Sequence, residues 1–199
     1  MLDSGLDILF STDAALTSAD RIRLAALASA LSAPRISWYQ RGSDAYETVT
    51  QRGAVSHTFA DVTVAPPAGA FLQATQQSEA WIQQAVLAAL PAKMGKRDTI
   101  IELYAGCGTL SFPLATRQRV LAYEGYPPAA ATLKAASRGV RLDVFFRNLN
   151  RHPFMSKDLS AAEVVAPDPS HAGATFQMEE LVNLQSKHIV YVSVNLSAL

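Results

Sequence analysis

Ile100-Ile101-Glu102-Leu103-Tyr104-Ala105-Gly106-Cys107-Gly108-Thr109 is the stretch whose reading decides the fold. A short β-branched run ends near an acid, and a loop of small residues with two glycines then opens a predicted helix. In an open α/β sheet such a loop makes a nucleotide-sized crevice at the carboxyl end of a strand. Glycine lets the backbone approach a ligand closely and accepts positive φ. The spacing is Gly-x-Gly, without the third glycine of the dinucleotide fingerprint and without the Gly-Lys-Ser/Thr of a phosphate loop. It points away from a pyrophosphate and toward S-adenosylmethionine (SAM), a nucleoside cofactor that carries no phosphate. An ordinary strand–turn–helix connection uses the same residues, so the assignment needs support from the rest of the chain.

That support is the order of elements around the loop. Residues 99–103, 120–123, 142–146, 164–166 and 188–194 read as strands, and residues 110–117, 128–137 and 175–186 as helices. Alternation of this kind predicts an α/β fold, a Rossmann-like, doubly wound and mostly parallel sheet with its ligand at the strand ends. A helix over residues 76–90 precedes it, with Trp81, Ile82, Ala85, Val86 and Ala89 on the face expected to be buried. Pro66-Pro67-Ala68-Gly69 punctuates the chain before that helix. Upstream, residues 6–10 read as a strand, and Ser18 caps a helix that runs to about residue 33 with Leu24, Leu27 and Leu31 on one face. Strands follow at 35–39, 46–50 and 61–64. We therefore expect a small α+β segment over residues 1–65 and the crevice-bearing domain over residues 66–199.

Composition narrows the function classes. The chain has 199 residues, 49% of them hydrophobic and 17% charged, which is ample material for a core and no signature of disorder. Its formal net charge is +0. A protein that holds nucleic acid mainly by neutralising phosphates is usually basic, so any RNA contact here must be local. Cys107 is the one cysteine, which excludes disulfide scaffolds, iron–sulfur clusters and cysteine-based metal sites. The amino terminus is acidic where a secretory leader is basic, and no apolar run reaches the roughly 18 residues that span a bilayer. The expected location is cytoplasmic, without a membrane contact.

Several residues around the loop are candidates for chemistry, each with a plain alternative. Glu124 ends the second strand, where an acid can accept hydrogen bonds from the two ribose hydroxyls of an adenosyl group or simply meet solvent at a turn. Glu102 can orient the loop backbone or a ligand ammonium, or be an ordinary strand-end acid. Asp168, in Val165-Ala166-Pro167-Asp168-Pro169-Ser170-His171-Ala172-Gly173, is held extended by the following proline at the rim of the crevice or lies in a polar turn. His171 is an acid–base candidate or a loop histidine. Cys107, between the two glycines, sits where a cofactor would pack and is not expected to be a nucleophile. Arg138, Arg141, Arg147, Arg151 and His152 cluster in sequence, either as a phosphate-facing patch or as a solvated face.

With those residues in place, the chain from Ala65 onward resembles the bacterial RNA (uracil-5-)-methyltransferases, SAM-dependent class I enzymes that methylate C5 of uridine in tRNA or ribosomal RNA. Pro66-Pro67-Ala68-Gly69-Ala70-Phe71-Leu72-Gln73 is similar to the family's substrate-side segment, whose core is Ala-Phe-(Phe/Leu)-Gln. Glu102–Thr109 in number order is similar to its Asp-Leu-(Phe/Tyr)-x-Gly-x-Gly cofactor loop. Asp168-Pro169-Ser170-His171-Ala172-Gly173 is similar to its Asp-Pro-Pro-Arg-x-Gly, and Ile189-Val190-Tyr191-Val192-Ser193-Val194-Asn195 to its Ile-Val-Tyr-Val-Ser-Cys-Asn. The resemblance implies that SAM or S-adenosylhomocysteine is held by Glu102, Ala105, Gly106, Gly108, Glu124 and Asn148. It also implies that Phe71, Gln73 and Asp168 face an RNA substrate, rRNA or tRNA, and that no metal or iron–sulfur cluster takes part.

The departures bear on activity. Carbon 5 of uracil is a poor nucleophile until a thiolate adds to C6, and in the family that thiolate is the cysteine of Ser-Cys-Asn-Pro. Here that position is Val194, and the proline position is Leu196. Asn148 replaces the family's usual acid near the adenine, and Ser170-His171 replaces Pro-Arg. The family's downstream base, its last strands, its amino-terminal RNA-binding barrel and the four-cysteine cluster of some members have no counterpart in these residues. The expectation is a SAM-binding homologue inactive at uracil C5 on its own. The alternatives are an enzyme completed by another chain, a non-catalytic SAM- or RNA-binding remnant, and an amino-methyltransferase using Asp168-Pro169-Ser170-His171. An apolar fifth strand at the sheet edge also leads us to expect self-association or a partner.

Overall fold

The structure, a computed structural model, describes residues 2–43, 45–169, 174–184 and 188–193. Strands β1 (Asp7–Thr12), β2 (Arg35–Gln40) and β3 (Glu47–Gln51) form a first sheet, in which β1 and β2 are parallel and β3 is antiparallel to β2. Helix α1 (Ser18–Ala30) makes the crossover between β1 and β2. Its cap is Thr17, one residue before the expected Ser18. The Thr17 hydroxyl accepts from the Asp20 amide while Asp20 accepts from the Thr17 amide, so two orphan donors are satisfied reciprocally. The helix also ends three residues earlier than predicted, because Ser32 turns into the left-handed region at φ 50°.

A two-stranded hairpin follows, β4 (His57–Phe59) with β5 (Val62–Val64). Sequence reading found only its second strand. Helix α2 (Gln76–Ala89) begins at Thr75 with a second capping box, to Ser78. Its buried face differs from the expected one: Val86 is buried and Ile82 half-buried, but Trp81, Ala85 and Ala89 point outward. The face is turned by Glu79, which is buried against His57 with Nε2 to Oε2 at 3.0 Å. A buried carboxylate needs that partner, and satisfying it fixes the helix's rotation.

The larger sheet has five parallel strands in the order β10-β9-β6-β7-β8. They are β6 (Thr99–Leu103), β7 (Arg119–Glu124), β8 (Leu142–Phe146), β9 (Val164–Pro167) and β10 (His188–Ile189). Helices α3 (Ser111–Arg117), α4 (Pro127–Ala136), α5 (Ser156–Leu159) and α6 (Thr175–Val182) alternate with them; α3, α4 and α6 match the predicted helices, and the one-turn α5 between β8 and β9 was not predicted. The predicted last helix is shorter than expected, and its positions 185 and 186 lie outside the described residues. The predicted last strand is regular only at His188–Ile189. The amides of Val190 and Val192 still donate to Val165 and Pro167, so the parallel track runs on beyond it. Residue 194 lies outside the described residues.

Both faces of this sheet are covered, which makes it doubly wound. On one face Val86, Phe112, Leu114 and Leu133 from α2, α3 and α4 pack with Ile100, Val120 and Ala122, and the hairpin adds Phe59 and Val64 to the same core. On the other, Ile101, Leu103 and Val165 pack with Leu149, Phe154, Leu159 and Leu181. Strand β6 is central, with β7 on one side and β9 on the other. The order therefore reverses beside β6, at the topological switch point where such sheets bind ligands.

Candidate cofactor crevice

The loop after β6 is built by steric necessity at one glycine and by open space at the other. Gly108 has φ +105°, and a Cβ there would lie 2.4 Å from Phe112 Cε2 and 2.7 Å from Leu133 Cδ1. No side chain fits, because α3 and α4 close directly onto the loop. Gly106 has φ +57°, and a Cβ there would meet nothing within 4 Å. Its missing side chain leaves the crevice open rather than serving the packing. Tyr104, at φ 64°, is also left-handed, so the chain reverses sharply between strand and glycine. The turn is tied down by Gly108 N donating to Ala105 O at 3.1 Å and by Ala105 N donating to Tyr123 O at 3.1 Å. Gln83 of α2 donates to Thr109 O at 3.0 Å.

Glu124, at the tip of β7, reaches across this loop. Its Oε2 accepts from Gly106 N at 2.6 Å and its Oε1 accepts from Tyr126 N at 2.6 Å. Glu102 does not meet solvent, unlike an ordinary strand-end acid. It is 1% exposed, and its Oε2 accepts the Ser111 hydroxyl at 2.5 Å. Burial pushes its carboxyl up to about 8, against the lowering effect of Ser111, and the charges of Asp168 and Glu124 push the same way. Asp168 follows β9, its amide bonded to Leu103 O at 3.1 Å, and burial raises its carboxyl to about 6. Cys107 is buried and its thiol is pushed up to about 11, so little thiolate exists near neutral pH.

Glu102, Ala105, Gly106, Gly108, Glu124 and Asp168 thus converge at the carboxyl ends of β6, β7 and β9. Asn148 lies against Gly125, the residue after Glu124: a Cβ on Gly125 would come within 3.2 Å of Asn148 Cα. Its Oδ1 accepts from Arg151 N at 3.1 Å, so that oxygen caps a turn. Phe71 is 75% exposed and Gln73 half-buried, and neither hydrogen-bonds to a crevice residue among the described residues. Ser170, His171 and Val194 lie outside the described residues. In the basic cluster, Arg141 donates to Ala115 O and Thr116 O at the end of α3, and Arg147 donates to His152 O and Pro153 O. Those two have structural work that spacing did not reveal, while Arg138, Arg151 and His152 are exposed. The Glu102–Ser111 bond was also not legible, since nothing in the sequence shows that the helix entering after the loop turns Ser111 back onto β6. Among the described residues no group of acids, histidines and cysteines could hold a metal ion.

A five-stranded parallel sheet with its crevice at the β6 switch point is a Rossmann-like α/β fold, an arrangement that class I methyltransferases use. The comparisons with known proteins agree. No family model matches the chain. Over 97% of its length it is 35% identical to an uncharacterised RNA methyltransferase of Rhizobium meliloti, of which it covers 45%. Over 50% of its length it is 35% identical to the 23S rRNA (uracil(1939)-C(5))-methyltransferase RlmD of Photobacterium angustum, of which it covers 47%. Among solved structures, the Pyrococcus abyssi tRNA (uracil-54, C5)-methyltransferase, in complex with S-adenosyl-L-homocysteine, superposes with a TM-score of 0.64 at 20% identity, over 81% of this chain and 41% of that one. The chain is thus similar in sequence to bacterial proteins named RNA methyltransferases, the likeness its motifs indicated. It spans about half the length of these curated relatives.

Proposed function

We propose that the chain binds SAM at the β6–β7 crevice and acts on or beside RNA, and that it does not by itself methylate uracil C5. The observation that carries the cofactor reading is the Glu124 carboxylate spanning Gly106 N and Tyr126 N beside the open space over Gly106. Each carboxylate oxygen accepts one bond there and has capacity for another, which suits the two hydroxyls of a ribose. The crevice carries the carboxylates of Glu124 and Asp168, while buried Glu102, raised to about 8, is mostly neutral near pH 7, and no lysine or arginine bonds to these acids among the described residues. That charge balance suits a cationic sulfonium and ammonium group and disfavours a phosphate. Bound SAM supplies an electrophilic methyl group on sulfur. Glu124 would hold the ribose, Ala105 and Gly106 would line the approach, and Glu102 would fix the loop through Ser111. Asn148 would face the adenine, and Phe71, Gln73 and Asp168 the RNA.

The second half of the reading rests on Val194, which stands where the family places its thiol. A hydrocarbon side chain cannot add to C6 of uracil, so C5 never becomes nucleophilic. We also propose that residues 66–199 are the cofactor domain, that the protein works in the cytoplasm, and that it self-associates through the β10 edge, where Ile189 is 41% exposed. No helix of the described residues is long and apolar enough to cross a membrane. Ultraviolet irradiation with methyl-labelled SAM, followed by mass spectrometry of protein and added rRNA, tests both halves. Label on a peptide from the crevice and no methyluridine is the expected outcome. An unlabelled protein contradicts cofactor binding, and methyluridine contradicts the inactivity.

A further inference from the structure

The face of the large sheet beneath β7 and β8 holds an aromatic stack that ends in solvent. Tyr123 and Phe145 are register partners on the two strands, and their rings stack at 5.0 Å between centroids and 19° between planes. Tyr123 is backed by Phe154, edge-on at 4.7 Å, and the Arg147 guanidinium lies 3.7 Å over the Phe154 ring. Phe154 is buried and Tyr123 half-buried, but Phe145 remains 42% exposed. A phenylalanine at the open end of a stack offers a π surface to a planar group and has no polar atom of its own.

The surroundings indicate which planar group. Asp143 lies one same-face position below Phe145, opposite Leu121, and Arg119, two such positions below Tyr123, donates to it diagonally through Nε and Nη2, with the arginine side chain 61% exposed. A cavity of about 350 Å³ opens at the amino ends of these strands and is lined by Lys96, Arg119 and Arg141, with Asp143 its one acid. At the other end of β8 lie Arg147 and the exposed Arg151. Cations therefore flank a ring stack at both ends in a chain whose formal net charge is +0. Aromatic rings on adjacent strands between cationic groups are the arrangement by which sheet surfaces hold unpaired nucleotides: bases stack, and phosphates meet the cations.

We propose that this face binds single-stranded RNA, with a nucleobase stacking on the exposed side of Phe145 and the backbone running toward the Lys96, Arg119 and Arg141 cavity. The inference rests on the RNA-directed reading above but does not depend on cofactor binding. Tyr123 directly precedes Glu124, so a strand held here passes beside the crevice. Stacking carries the interaction and is tolerant of base identity, while the few cations give a shallow dependence on salt.

Fluorescence anisotropy with a labelled ten-nucleotide oligouridine tests it on the whole chain, beside calorimetry with S-adenosylhomocysteine on the same samples. Phe145→Ala is expected to weaken oligouridine binding about ten-fold. Phe146→Ala, on the opposite face of β8, and Trp81→Ala, on α2, should leave it unchanged. A 5-iodouridine oligonucleotide should crosslink to the peptide carrying Tyr123 or Phe145. Equal RNA affinity for wild type and Phe145→Ala overturns the proposal, as does a Phe145→Ala effect confined to sedimentation, which would make the face a contact between copies. Phe145-dependent RNA binding without S-adenosylhomocysteine binding would refute the cofactor reading and leave this one standing.

Discussion

At the residue scale, the two glycines of the loop make different demands and so respond differently to substitution. Gly108→Ala puts a methyl group inside Phe112 and Leu133 at positive φ, and we expect it to cost about 1–3 kcal/mol, read as a lower urea midpoint. Gly106→Ala meets no atom and should cost only the left-handed conformation, about 1–2 kcal/mol. Glu102 gives the loop a pH signature. Its carboxyl is raised from 4.5 to about 8 in the folded protein. The folded state keeps a proton that the unfolded chain has released, so stability present below pH 4.5 is lost as pH rises toward 8. The loss is at most about 1.4 kcal/mol per pH unit. Asp168, raised from 3.8 to about 6, adds the same sign lower down. Urea unfolding between pH 6.5 and 8, where Asp168 is already ionised, should show a falling stability that Glu102→Gln flattens. An unchanged slope in the variant would remove Glu102 as the source.

At the element scale, the helices start where side chains can close the first turn. Both capping boxes begin at threonine, and Thr75→Ala should lower stability by about 1 kcal/mol in a thermal or urea melt. The alternation of strands and helices was legible because parallel strands buried on both faces read as apolar runs, and the loop was legible because its glycines are conformationally required. The hairpin's first strand was not. Its turn is Ala60-Asp61, both at positive φ, whereas the sequence signature of such a turn is Asn-Gly or Asp-Gly. The buried face of α2 was misread for a related reason. Periodicity counts apolar residues, and here a carboxylate, Glu79, points inward because His57 receives it. Of the candidate residues, spacing put Glu102, Gly106, Gly108, Glu124 and Asp168 at strand ends and in the loop, where the structure has them. Ser111 and the structural duties of Arg141 and Arg147 depend on tertiary approach, which spacing does not encode.

At the scale of the whole molecule, buried polar links join the amino-terminal elements to the large sheet. Arg35, 8% exposed, grips Asp7 through two nitrogens and donates to Pro66 O at 3.0 Å. His57 bonds Glu79 while its ring packs edge-on against Phe59, and Phe59 in turn stacks with Phe112 behind the glycine loop. Glu79→Ala should therefore cost about 2 kcal/mol in unfolding experiments, since it strands a buried imidazole. Self-association through β10 should appear as a concentration-dependent mass in light scattering, and a constant monomer mass at high concentration would refute it. The central claim is that the crevice is a SAM site organised by Glu124. Calorimetric titration with S-adenosylhomocysteine tests it most directly: we expect saturable one-to-one binding that Glu124→Ala weakens at least ten-fold without loss of fold. No binding by the wild-type chain, or equal binding by the folded variant, would contradict it.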